Sequence, residues 1–238
     1  MSQDLQPLPM DWTRALVVVA HPDDMEFGSA AAVAAWTAAG KDVRYVVATR
    51  GEAGIDGIAP AEAGPIREME QRNSAKIVGV STVEFLDHRD GEIEYGRALR
   101  DDVVRAIRRH RPELVVAYNH HDLTYSGKWN TADHRHTGRA VLDAISAAAN
   151  RWQPADADDE AWGGVKYVAV AASPEPTHAV DVSDTLDLGV ASVEAHEAYL
   201  AGLGLPPGAA KPALEAYANA MGERFDGRPA VAFEMLEV

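Results

Sequence analysis

The chain has 238 residues, 47% of them hydrophobic and 25% charged, no cysteine and a formal net charge of −15. That length supports one core without covalent staples, and the missing cysteines exclude disulfides and thiolate metal sites, leaving His, Asp and Glu as strong ligands. The acidity, with no clustered basic face, argues against a nucleic-acid partner. The opening "MSQDLQPLPMDWTR" lacks the apolar stretch of a signal peptide, and no apolar run is long enough to span a bilayer. A cytoplasmic protein with no membrane partner is expected.

In chain order, residues 14–20 form a short continuous apolar run, the pattern of a strand covered on both faces, and the Ala-rich "GSAAAVAAWTAAG" behind it reads as a helix closed by Gly40. "KDVRYVVATRGEAG" is a second strand with a Gly-containing loop, which completes a βαβ unit. Residues 55–65, "IDGIAPAEAGP", are loop-like, and "IREMEQRNSAKIVGV" has helical spacing. "TVEFL" is a third strand. "GRALRDDVVRAIRRHRP" is a helix stopped by Pro112, and "ELVVAYNHH" is a fourth strand that opens into the polar loop "NHHDLTYSGKWNTADHRH". Then come an Ala-rich helix, "TGRAVLDAISAAAN", a fifth strand in "VKYVAVAASPE", a weaker sixth in "THAVDVSD", and a helix over residues 184–204. The remaining tail contains a helical piece and a candidate last strand. With no repeat and no linker-like segment, residues 1–238 read as a single domain. The alternation predicts an α/β fold, a Rossmann-like, mostly parallel sheet with helices on both faces and its site at the C-terminal ends of the strands.

Polar clusters fall at those ends: "HPDD" after the first strand, "TRGE" after the second, "LDHRDG" after the third and "NHHD…DHRH" after the fourth. Two readings of His21-Pro22-Asp23-Asp24 are open. One aspartate could cap the following helix, but a cap needs a single carboxylate. Alternatively, His21 and Asp24, three residues apart across a proline-stiffened turn, reach one metal ion and leave Asp23 free to take a proton from its water. A catalytic metal then needs a third ligand, which His134 in "NTADHRH" supplies, with Asp133 supporting it or capping a helix. An exposed loop histidine is the alternative for His134.

"AHPDDMEFG", "TRGEAG", "IREMEQRNSAKIVGV…FLDHRDGEI" and "ADHRHTGRAVLDAI", in this order, resemble the LmbE-like, PIG-L-type N-deacetylase superfamily over residues 14–200. The resemblance implies one Zn²⁺ per chain bound by His21, Asp24 and His134, with Asp23 as general base. It implies that Arg67 of "REME" and Asp90 of the "DG" turn contact substrate, and that Glu52 borders the pocket. For Arg67 and Glu52 a surface ion pair is the competing fate. The substrate implied is a small molecule, an N-acetylated sugar conjugate.

The chain departs from the family at Thr131, where better-known members carry a histidine that protonates the leaving amine or stabilises the oxyanion. A threonine cannot supply that acid. Among His120, His121 and His136, His121 is the replacement preferred here. His196, in "EAHEAYLAG", resembles another family element, with a core or surface role as the simpler account. Trp129 either walls a sugar ring or anchors its own loop. A metal-free small-molecule-binding module is the rival reading, and a two-metal phosphoesterase ranks below it for want of carboxylates. Self-association into a homo-oligomer is left open by the sequence.

Overall fold

The structure, a computed structural model, describes residues 4–154 and 159–237. In chain order the strands are β1 (Gln6–Pro7), β2 (Arg14–Val19), β3 (Asp42–Val47), β4 (Thr82–Phe85), β5 (Leu114–Tyr118), β6 (Tyr167–Ala171), β7 (His178–Asp181) and β8 (Ala230–Leu236). The helices are α1 (Asp24–Gly28), α2 (Ala30–Ala38), α3 (Pro60–Ile77), α4 (Arg97–His110), α5 (Ala132–Ala149), α6 (Leu186–Glu194), α7 (Glu197–Gly202) and α8 (Ala210–Gly222). One sheet has the order β1-β7-β8-β6-β5-β2-β3-β4, parallel except for β8, which runs antiparallel to both β6 and β7. The α/β fold expected from the alternation is present.

Strand β2 shows why. Its side chains alternate between two apolar layers: Ala15, Val17 and Val19 meet Val33 and Trp36 of α2 on one face, while Leu16 and Val18 meet Val103 and Ile107 of α4 and Val141 of α5 on the other. A strand buried on both faces has no polar side to show, hence its unbroken apolar run.

Several boundaries differ from expectation. Helix α3 starts at Pro60, inside the stretch read as loop. Proline is favoured at a helix's first position, and Pro65, in the second turn, forfeits one backbone hydrogen bond. Helix α5 starts at Ala132 because Thr131 caps it, its Oγ1 accepting from His134 N at 3.3 Å, so His134 lies in the first turn instead of ahead of the helix. The helix expected over 184–204 is two, α6 and α7, divided at Ala195 and His196. The tail supplies α8 and β8, and β8 lies inside the sheet between β7 and β6.

Candidate active site

From β2 the chain runs to β3 and β4 on one side, then returns to place β5 on the other. The crevice beyond the ends of β2 and β5 is therefore a topological switch point, where open α/β sheets bind ligands. His21 follows β2 and Tyr118 ends β5, and both line a cleft of about 390 Å³ with Asp23, Asp24, Phe27, Gly54, Arg67, Asp90, Thr131, His134 and Tyr199. Gly138 brings the far wall in: a Cβ there would lie 2.6 Å from the Tyr118 carbonyl oxygen. Helix α5 thus packs directly on the end of β5, with His134 one turn earlier facing the cleft.

Neither aspartate of HPDD caps α1 with its side chain. Asp23 takes the left-handed conformation, φ 86°, and Asp24 turns back so that Oδ2 accepts from Ala20 N at 3.1 Å and His21 N at 2.9 Å. Asp24 Oδ1 lies 3.0 Å from His134 Nε2, and His21 Nδ1 lies 3.6 Å from Asp24 Oδ2.

The outer nitrogens of both rings are already assigned. His21 Nε2 donates to Asp133 Oδ2 at 3.1 Å, and that carboxylate is itself held by Gly91 N and Ile93 N. His134 Nδ1 donates to Asn130 Oδ1 at 3.0 Å, because the Asn130 amide nitrogen is committed to the carbonyls of Asn119 and His121. With both imidazoles neutral, the inner nitrogens of His21 and His134 and the Asp24 carboxylate are three acceptors facing one another. Ligand atoms of this trio lie within 4.8 Å of each other, and a cation is what such a set lacks. A second group, His21, Asp90 and Asp133, shares His21; both Asp133 oxygens accept from backbone N–H groups, as does Asp90 Oδ2. Burial opposes charge on Asp24, yet His134 and His21 hold its carboxyl well below the usual range. Burial likewise opposes an imidazolium at His21, and Asp133, Asp24 and Asp90 together raise it well above its ordinary value.

Asp23 sits deeper. Burial pushes its carboxyl up to about 7, with Arg67 pulling it down and Asp24 adding to the rise. Arg67 is itself buried and donates to Asp23 Oδ1 at 2.9 Å, Pro22 O at 2.6 Å and Gly51 O at 2.9 Å, with its guanidinium 3.8 Å from the centre of the Tyr199 ring. Room for it comes from the "GEAG" loop, since a Cβ on Gly51 or Gly54 would lie 2.2 or 2.4 Å from Arg67 Nη1. Arg67 is thus not a surface ion pair. It borders the cleft but directs these donors at Asp23 and the backbone.

Asp90 lines the cleft with Oδ1 3.2 Å from His21 Nε2, while Oδ2 accepts from Ala53 N at 2.8 Å. Glu52 does not line it: its oxygens accept from Arg50 N and Asp90 N, tying the loop after β3 to the one after β4. His121 is also outside. Its Nε2 pairs with Glu234 of β8 at 2.7 Å, a partner hidden in the unassigned tail. His120 stacks against His121 at 4.3 Å, and His136 Nδ1 donates to Ile93 O, so none of the three imidazoles offered in place of the missing histidine lines the cleft. His196 is fully buried 3.6 Å from Glu26. Trp129 is exposed, beneath the Arg135 guanidinium, and with Tyr125 lines a smaller hollow of about 130 Å³ that shares Tyr118, Thr131 and His134 with the cleft. Sequence reasoning missed Tyr118 and Tyr199. Strand-end position could have indicated Tyr118, whereas Tyr199, on a short distant helix, carries no local signal.

Residues 16–145 match the family model described as PIG-L, GlcNAc-PI de-N-acetylase. A diacetylchitobiose deacetylase from Thermococcus kodakarensis is 31% identical over 193 residues, covering 79% of this chain and 70% of that protein. A 1D-myo-inositol 2-acetamido-2-deoxy-alpha-D-glucopyranoside deacetylase from Thermomonospora curvata is 27% identical over 190 residues, covering 66% of this chain and 60% of its own length. Among solved structures, N,N′-diacetylchitobiose deacetylase from Pyrococcus horikoshii superposes with a TM-score of 0.84 at 24% identity, covering 95% of this chain and 85% of that one, so the shared fold takes in the tail as well. Matched over more than half its length by one family model, and by a relative above 30% identity across most of both chains, the protein belongs to the PIG-L, GlcNAc-PI de-N-acetylase family.

Proposed function

We propose that the protein is a zinc-dependent de-N-acetylase that removes an N-acetyl group from a GlcNAc-type sugar conjugate. The observation that carries this reading is the convergence of three acceptor atoms, from His21, Asp24 and His134, beside a buried carboxyl at Asp23. The names of the relatives, deacetylases of acetylated chitobiose and of a glucosamine-inositol conjugate, support the substrate class.

His21, Asp24 and His134 would hold the ion, and two nitrogens with one carboxylate are a donor set suited to zinc with a position left for water. Bound zinc supplies Lewis acidity toward water and the amide carbonyl. Asp23, ionised, takes the proton of the attacking water on the oxygen that Arg67 does not hold. With its carboxyl placed near 7 by burial, Asp23 can both accept that proton and return it to the departing amine. Thr131 cannot act as the acid, but its hydroxyl borders the cleft and, having accepted from His134 N, retains a proton to donate as a hydrogen bond. Tyr118 offers a second neutral hydroxyl. Asp90 borders the sugar, and Tyr125 and Trp129 provide an aromatic wall for the rest of the conjugate.

The test is metal analysis followed by a free-amine assay of zinc-loaded protein against N-acetylated mono- and disaccharides and GlcNAc conjugates. Stoichiometric zinc with amine release supports the reading. Protein that binds no zinc at that site, or releases no amine from any of them, overturns it.

A further inference from the structure

Behind Asp23 lies a polar chain that the proposed reaction does not use. Asp23 N donates to Gln71 Oε1 at 3.0 Å, Gln71 Nε2 donates to Glu26 Oε1 at 2.8 Å, and Ser74 Oγ donates to the same Glu26 oxygen at 2.6 Å. Glu26, Gln71, Ser74 and the adjacent His196 and Ser192 are all buried. His196 Nε2 stands 3.6 Å from the other Glu26 oxygen and closes the chain from the α6–α7 junction. Burying a carboxylate, an amide, an imidazole and two hydroxyls inside an α/β core is costly, and their hydrogen bonds to one another offset that cost only in part.

The order here has only one sense. A backbone N–H can only donate, so the oxygen of Gln71 must face Asp23 and its NH₂ must face Glu26; a carboxylate there accepts without ambiguity, which an amide would not. The group so gripped is in an unfavourable conformation. Asp23 has φ 86°, in the left-handed region that a residue with a Cβ seldom adopts. Arg67 holds the Asp23 side chain, so backbone and carboxylate are held by separate partners.

We propose that Gln71, oriented by Glu26, is a positioning residue that holds Asp23 in its left-handed turn and so aims its carboxylate across the cleft floor. The catalytic consequence rests on the proposed role of Asp23 as general base. Replacing Gln71 by Leu keeps the volume and removes the acceptor. Gln71→Glu alone sets two buried carboxylates against each other, while the exchange Glu26→Gln with Gln71→Glu restores one acceptor for Asp23 N and one donor–acceptor contact behind it.

With zinc-loaded full-length protein, Gln71→Leu and Gln71→Glu are expected to lower kcat about 10- to 100-fold with KM within about twofold, as misplaced catalytic groups do. The exchange variant should recover most of kcat, and zinc content should equal wild type throughout. Crystal structures of wild type and Gln71→Leu supply a readout independent of turnover: Asp23 should leave the positive-φ region in the variant only. Wild-type kcat in Gln71→Leu, no recovery in the exchange variant, or an unchanged Asp23 φ would overturn the proposal. If wild-type protein releases no amine, the deacetylase reading falls, and the Asp23 φ comparison still decides whether Gln71 positions that residue.

Discussion

Arg67 Nη2 stands 2.9 Å from Asp23 Oδ1, with both residues buried beneath the cleft. Burial raises Asp23 to about 7 and this cation restrains the rise, so the carboxylate form accumulates as pH climbs through neutrality. With Asp23 as the proposed general base, the acid limb of kcat/KM should follow this ionisation, which lies at a lower pH in zinc-loaded than in zinc-free protein. Arg67→Gln should move that limb to higher pH, whereas Arg67→Lys, which keeps the charge but loses the planar fork, should leave it close to wild type at reduced stability. An acid limb that does not move in Arg67→Gln would refute the electrostatic link.

Asp133 fixes the ring of His21 and is itself held by Gly91 N and Ile93 N. Asp133→Asn should weaken zinc binding by roughly 10- to 100-fold, the usual cost of losing such a support. Competition with a chromophoric chelator measures this directly, and wild-type affinity in the variant would contradict it.

Asp23→Asn should abolish most turnover, by about 100- to 10,000-fold, while zinc stoichiometry stays at wild type, since the trio does not include this side chain. Parallel amine release and metal analysis would separate the two effects. Loss of the metal together with the activity would place Asp23 among the ligands instead.

Gly51 has φ +62° and no room for a Cβ beside Arg67 Nη1, whereas Gly57 has φ +83° with nothing within 4 Å. Gly57→Ala should cost only backbone strain, about 1–2 kcal/mol. Gly51→Ala should cost more and also lower activity by displacing Arg67. Thermal melts and turnover of the pair check this; equal losses in both would show that the guanidinium does not need the space.

Away from the site, Glu84 meets His110 Nε2 at 2.9 Å and Arg109, and these partners outweigh burial to hold its carboxyl at about 2, below the ordinary 4.5. A depressed carboxyl stabilises the fold above its unfolded value and loses that contribution as pH falls. Denaturation between pH 5 and pH 2 should accordingly show a steeper loss of stability in wild type than in Glu84→Gln. Parallel slopes would deny the pair this role.

The sheet was legible in the sequence because strands buried on both faces must be apolar throughout, as Val17, Val18 and Val19 are. The crevice was legible too: β/α alternation puts polar residues that follow strands at one edge, which is how His21, Asp24 and His134 could be grouped across more than a hundred residues. Helix starts at Pro60 and Ala132 are obscured because proline and glycine read as loop and because the cap at Thr131 carries no acidic N3 partner to mark it.

Only the tertiary structure decided which way side chains face once the elements dock. Arg67 and Glu52 look alike in sequence as surface charges, yet one is buried against Asp23 and the other ties two loops together. His121 follows a strand like a catalytic residue, but β8, inserted beside β6 from the far end of the chain, supplies Glu234 to hold it away from the cleft. Local pattern determines which residues reach the sheet edge. Contacts between segments far apart in sequence determine the direction of each side chain there, because every buried donor and acceptor must find a partner that may lie anywhere along the chain.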